Sequence, residues 1–132
     1  MCGISGIISN QLIDDAKIDA LQLASNQLEK RGPDASGLKR FSKAALAHRR
    51  LSIIDTTLSS NQPMQDESGR YFIVFNGEIY NYRQIKKELI AKGKAFKTES
   101  DTEVLLNAYI QFGTAFLNKL DGFFALAIYD SV

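Results

Sequence analysis

The chain of 132 residues carries 16 basic and 15 acidic side chains, a formal net charge of +1, and is 45% hydrophobic and 23% charged. Those values describe one folded domain, residues 1–132, with a core of modest size, and they argue against disorder. Lys and Arg are scattered and no apolar run approaches membrane-spanning length, so neither nucleic acid nor a membrane is an expected partner.

Behind the start "MCGISGIIS", the stretch "GISGIIS" reads as a first strand. "DDAKIDALQLASNQLEKRGP" puts Ile18, Leu21, Ser25 and Leu28 on one face, opens with acids and closes on Lys30, Arg31, Gly32 and Pro33. That pattern predicts an amphipathic helix. "ASGLKRF" and "AALAHRRLSII" read as two strands, and "DTTLSSNQPMQDESG" as a polar loop. "RYFIVFN" reads as a buried strand that stops at a turn signal, Asn76-Gly77-Glu78. Asn81 is positioned to cap the next helix, "YRQIKKELIAKG", with Ile85 and Leu89 inward and Gly93 at its end. "KAFKT" predicts a short strand. Ser100 and Glu103 then make a capping-box pattern for a helix that Gly113 stops. "TAFLNKL" predicts a further short helix and Asp121-Gly122 a turn. The last strand, "FFALAIYD", is apolar enough for a sheet covered on both faces. Helices arrive after pairs of strands, which predicts an α+β fold of stacked antiparallel sheets with helical layers rather than a doubly wound parallel sheet.

The single cysteine and single histidine lie far apart, so neither an internal disulfide nor a metal site is expected, and the compartment is expected to be cytoplasmic. There is no Walker-type lysine loop and no GxGxxG after a strand. Cys2 stands out by position. Removal of Met1 would give it a free α-amine, titrating at roughly 7.7–8.0, on the same residue as a thiol titrating near 8.5. One residue would then supply both nucleophile and base. On position alone, a small buried apolar residue at the chain start is the simpler reading. Asn76 and Gly77 offer an amide side chain and an unobstructed N–H that could converge on an oxyanion; they are equally a hairpin signal.

Taken together, "MCGISGI", "RGPDASG", "AHRRLSIID", "NQPM", "FNGEIYNY", "ESDTEVLL" and "LDGFFALAIYD" stand in the order found in glutamine-hydrolysing asparagine synthetases. Over essentially its whole length the chain resembles their N-terminal class II glutamine amidotransferase domain, an N-terminal-nucleophile hydrolase. The resemblance implies a four-layer αββα sandwich of antiparallel sheets. It implies that Cys2 attacks the side-chain amide of glutamine, forming a thioester and releasing ammonia. Asn76, by its side chain, and Gly77, by its N–H, match the oxyanion hole. Arg50 matches the arginine that holds the substrate carboxylate, a task suited to its planar fork. Leu51, Ser52, Ile53 and Ile54 would line the pocket, and Glu78 and Asp101 match the acidic partners of the ammonium. Without the resemblance, Asp101 reads as a first-turn helix acid and Glu78 as a turn carboxylate. Arg49 reads as a solvated charge. His48 is assigned a structural role, its side chain expected to point away from both Arg49 and Arg50. The "RGPD" loop is expected near the site.

No "SGGxDS"-type pyrophosphate loop is present, so the amidating half is expected outside this chain, which reads as an N-terminal fragment whose fold continues past "FFALAIYD". No cofactor is expected for this domain; ATP and Mg belong with the missing synthetase domain. The expected partners are L-glutamine and a synthetase domain or separate chain receiving ammonia. An apolar sheet without its further strands would also favour self-association, as in a homodimer. Two alternatives are a non-catalytic or partner-dependent fragment and an amidotransferase domain serving another acceptor, such as a sugar.

Overall fold

The strand Ala44–Arg50 organises the layers, because its two faces pack against different elements. Ala45 and Ala47 are fully buried on one face and pack with Leu21, Ile18 and Ile7. Leu46, on the other face, packs with Phe72 and Val74. The computed structural model describes residues 2–53 and 57–132. In chain order its elements are β1 (Gly3–Ile8), α1 (Asp15–Gln27), β2 (Ala35–Arg40), β3 (Ala44–Arg50), β4 (Met64–Gln65), β5 (Tyr71–Ile79), α2 (Tyr82–Ala91), α3 (Asp101–Phe112) and β6 (Gly122–Asp130). Two short 3-10 segments, Leu58–Ser60 and Gly113–Lys119, complete the set.

The strands form two three-stranded antiparallel sheets, ordered β1-β3-β2 and β4-β5-β6. Helix α1 covers the outer face of the first sheet through Leu21. Leu46, Phe72 and Val74 fill the space between the sheets, where Phe41 stacks on Tyr129 at 4.0 Å. The largest core lies on the far side of the second sheet, where Ile73, Phe75 and Ile79 meet Ile85, Leu89, Leu105 and Phe116. Helix, sheet, sheet and helix pair make the expected αββα sandwich.

Several local expectations are corrected. The strand through Asn76-Gly77 does not stop there: β5 runs on to Ile79, with Gly77 opposite Phe124 on β6. Pairing with β6 outweighs the local turn preference. "KAFKT" forms no strand. The Lys97 and Thr98 N–H groups, which a strand would have paired, donate instead to the Glu103 carboxylate at 2.9 and 2.7 Å. The capping box at α3 is therefore half formed: Ser100 Oγ accepts the Thr102 N–H at 3.1 Å, while Glu103 turns to that preceding segment. Asn81 makes no side-chain cap for α2. Its amide instead ties together the approach to β6, donating to Lys119 O at 2.8 Å and accepting from Asp121 N–H at 3.0 Å.

Strand β6 is only partly covered. Its second half packs on both faces, Ala127 and Tyr129 between the sheets and Leu126 and Ile128 against the helices. In its first half Phe123 is 49% and Phe124 37% exposed, and neither packs into a core cluster. Among the described residues β6 is an edge strand paired only with β5. Among the described residues no helix is long and apolar enough to cross a membrane.

Candidate active site

The register of β1 on β3 sets Gly3 opposite Arg49, which brings Cys2 alongside the end of β3. There the Leu51 N–H donates to Cys2 Sγ at 3.4 Å, and the thiol lies 3.7 Å from the Leu51 carbonyl. Arg31 holds the same residue by its backbone, Nε donating to Cys2 O at 3.2 Å. The nucleophile candidate is thus fixed between the end of β3 and the loop after α1.

Two further features shape the β3 end. A Cβ on Gly32 would lie 2.3 Å from the Arg49 carbonyl, so the "RGPD" loop approaches β3 more closely than any side chain permits. Asp34 donates its N–H to Arg50 O at 2.9 Å and accepts the Ser52 N–H on Oδ2 at 2.7 Å. The loop is a splint for the segment carrying Arg50 and Leu51.

Arg50 is buried, and its Nη1 donates to Thr57 O and to Asn61 Oδ1, both at 2.8 Å. Strand alternation puts Arg50 on the face that also carries His48, which corrects the expectation that His48 points away from it; only Arg49 faces α1, where it meets Asn26. His48 is 1% exposed, and burial, reinforced by the nearby Arg50 charge, drops its pKa to about 4. The ring is neutral at pH 7, consistent with a structural role.

Cys2, Arg50, Leu51 and Ile53 line one side of a cavity of about 150 Å³; Gly77, Glu78 and Asp101 line the other. Asp101 opens α3 and is 6% exposed; burial pushes its pKa up to about 6, with the Glu78 charge adding to the rise and the Thr102 N–H opposing it. A cation entering between Asp101 and Glu78 would relieve that burial cost. Asn76 is half-buried beside the cavity, its Oδ1 enclosed and without a partner among the described residues, which leaves Nδ2 as its donor. Ser52, expected to line the pocket, is not among its lining residues, because its N–H is turned to the Asp34 carboxylate; Ile54 lies outside the described residues. The cavity therefore has a thiol, a guanidinium and two carboxylates around a space fit for a small zwitterion, while the Asn76 side chain sits beside it and is not among its lining residues.

Residues 1–132 match, end to end, the family described as glutamine amidotransferase domain. The chain belongs to that family. This amidotransferase domain is 42% identical over 132 residues to asparagine synthetase [glutamine-hydrolyzing] 1 of Bacillus subtilis, covering 98% of this chain and 21% of that protein. It is 39% identical to asparagine synthetase B [glutamine-hydrolyzing] of Escherichia coli, covering 99% of this chain and 23% of that protein. The chain thus spans roughly a fifth of the length of these curated relatives. Its fold matches the glutamine phosphoribosylpyrophosphate amidotransferase of B. subtilis with a TM-score of 0.80 at 21% identity, over 99% of this chain and 35% of that one.

Sequence reasoning missed four polar lining residues of the amidotransferase domain: Ser60, Gln62, Ser100 and Thr102. Ser60 is 1% exposed, with its hydroxyl unpartnered among the described residues. Nothing local marks it. Gln62 stands in the quoted "NQPM" motif, but its reach to β5 and α3 depends on how those elements pack.

Proposed function

We propose that this amidotransferase domain hydrolyses glutamine to glutamate and ammonia through a thioester on Cys2. With Met1 removed, the Cys2 α-amine takes the thiol proton and the thiolate attacks the substrate's side-chain amide carbon. The oxygen of the tetrahedral intermediate accepts hydrogen bonds from Asn76 Nδ2 and the Gly77 N–H. As the C–N bond breaks, the protonated amine returns its proton to the departing nitrogen, and ammonia leaves. Water, deprotonated by the same amine, then attacks the thioester carbonyl and expels the Cys2 thiolate, which takes the proton back from the amine, giving glutamate and the starting thiol. Arg50 pairs with the substrate α-carboxylate, and Asp101 with Glu78 receives the α-ammonium.

The ammonia is passed to a synthetase domain or chain that amidates aspartate to asparagine with ATP and magnesium, both confined to that other part. The domain itself needs no cofactor, and its setting is the cytoplasm. The observation that carries the reading is the meeting of Cys2, Arg50 and Asp101, from three distant stretches of sequence, around one small cavity in a chain of this family. Purified chain with Cys2 at its N-terminus, given glutamine, is expected to release glutamate and ammonia in equal amounts. Release no greater than that of Cys2→Ala would overturn the reading.

A further inference from the structure

Strand β4 is two residues long and pairs with Ile73 and Phe72, so among the described residues no strand lies beside the β5 edge beyond residue 73 on that side. At Phe75 two side chains take the place of a strand. Gln62 Oε1 accepts the Phe75 N–H at 2.6 Å, and His48 Nε2 donates to the Phe75 carbonyl at 3.2 Å. Gln62 is anchored at its other end as well, Nε2 donating to Thr102 Oγ1 at 3.1 Å in the first turn of α3. All four residues are buried.

The clamped peptide immediately precedes Asn76. Backbone N–H groups alternate along a strand, so the Gly77 N–H lies on the same edge as that of Phe75, where Gly77 borders the cavity. Donors to a developing oxyanion accelerate a reaction to the extent that their positions are set before the charge appears. An unclamped edge would let this peptide rotate toward water and carry both donors out of line.

We propose that Gln62, with His48, is a positioning residue of the oxyanion hole: it holds the Phe75 peptide so that Asn76 and Gly77 face the attacked carbonyl. Through Thr102 the same amide sets the distance between that corner and Asp101. The proposal rests on the thioester reading above. Gln62 borders the cavity, but its amide oxygen and nitrogen are engaged by Phe75 and Thr102 and in this scheme bond neither end of the substrate, so its loss affects turnover more than binding.

The test compares Gln62→Met, which removes the acceptor at similar volume, with Gln62→Glu, which restores an acceptor for the Phe75 N–H. Two rates are read: glutamine hydrolysis, and alkylation of Cys2 by iodoacetamide, a displacement that forms no carbonyl oxyanion. For Gln62→Met, kcat is expected to fall about 30-fold or more with KM within about threefold, and alkylation within about twofold of wild type. Gln62→Glu is expected to recover most of kcat. An unchanged kcat in Gln62→Met, or hydrolysis, KM and alkylation all collapsing together in a folded variant, would overturn the proposal. If Gln62→Met does not fold, Thr102→Val, which cuts only the far anchor, is expected to lower kcat several-fold at unchanged KM; an unchanged kcat overturns the proposal there too. Wild-type chain that alkylates but releases no glutamate would instead overturn the underlying hydrolase reading.

Discussion

Asp34 accepts the Ser52 N–H at 2.7 Å, and its own N–H donates to the carbonyl of Arg50 at 2.9 Å. One residue of the loop after α1 therefore spans the stretch that carries both the candidate carboxylate anchor and the backbone beside Cys2. Asp34→Ala keeps the backbone bond to Arg50 O but removes the carboxylate that holds the Ser52 N–H, freeing the far end of that stretch. KM for glutamine is expected to rise about tenfold, with stability lowered by only about 1 kcal/mol, since the one lost bond is exposed. Steady-state kinetics and urea denaturation on the same preparation check both.

The amine of Cys2 is the only base the proposed scheme uses. An N-terminal extension, or retained Met1, converts that amine to an amide that accepts no proton. Glutamine hydrolysis is expected to drop at least about 10³-fold, while the melting temperature stays put because β1 begins only at Gly3. Intact-mass analysis alongside the glutaminase assay gives the answer; full activity with Met1 present would contradict it.

Gly77 has φ +157°, and a Cβ there would lie 2.3 Å from the Phe123 carbonyl and 2.6 Å from Phe124 Cα. Those obstacles are backbone, which cannot swing aside as a side chain can. Gly77→Ala is expected to cost about 3 kcal/mol and to abolish activity by pushing β6 from β5. Chemical denaturation that found the variant within about 0.5 kcal/mol of wild type would show that β6 yields cheaply.

Asp101 makes a prediction whose sign runs against the usual carboxylate. Its pKa is pushed up to about 6 by burial, above the ordinary value of 3.8, so between those values the folded state holds a proton that the unfolded state has released. Stability from this group is therefore full at pH 4 and lost as pH rises through 6. Asp101→Asn is expected to be more stable than wild type by about 2 kcal/mol at pH 7.5, with the difference gone by about pH 4. The same variant should bind glutamine about tenfold or more weakly, because the ammonium loses its buried counter-charge. In the wild type KM should climb as pH falls below about 6, as Asp101 gains its proton. Denaturation at the two pH values and a pH series of KM test the pair of claims.

What the amino-acid order determined by itself was local. The face of α1 bearing Leu21 and Ser25 and the Ser100 cap of α3 follow from periodicity and from a side chain's reach to its nearest backbone neighbours. The ordered motifs also singled out Cys2, Arg50 and Asp101, which line one cavity. Tertiary structure decided everything that depended on competition between distant partners. Asn76-Gly77 locally favours a turn, and only β6, running antiparallel alongside, selects the strand. Glu103 could cap its own helix or bond the chain before it, and the path of residues 97 and 98 chooses the second. Gln62 reaches Phe75 and Thr102, 13 and 40 residues away, because β4 ends early and leaves a buried N–H that something must satisfy. A buried backbone donor needs a partner, but only the packed arrangement determines which group is near enough to be one.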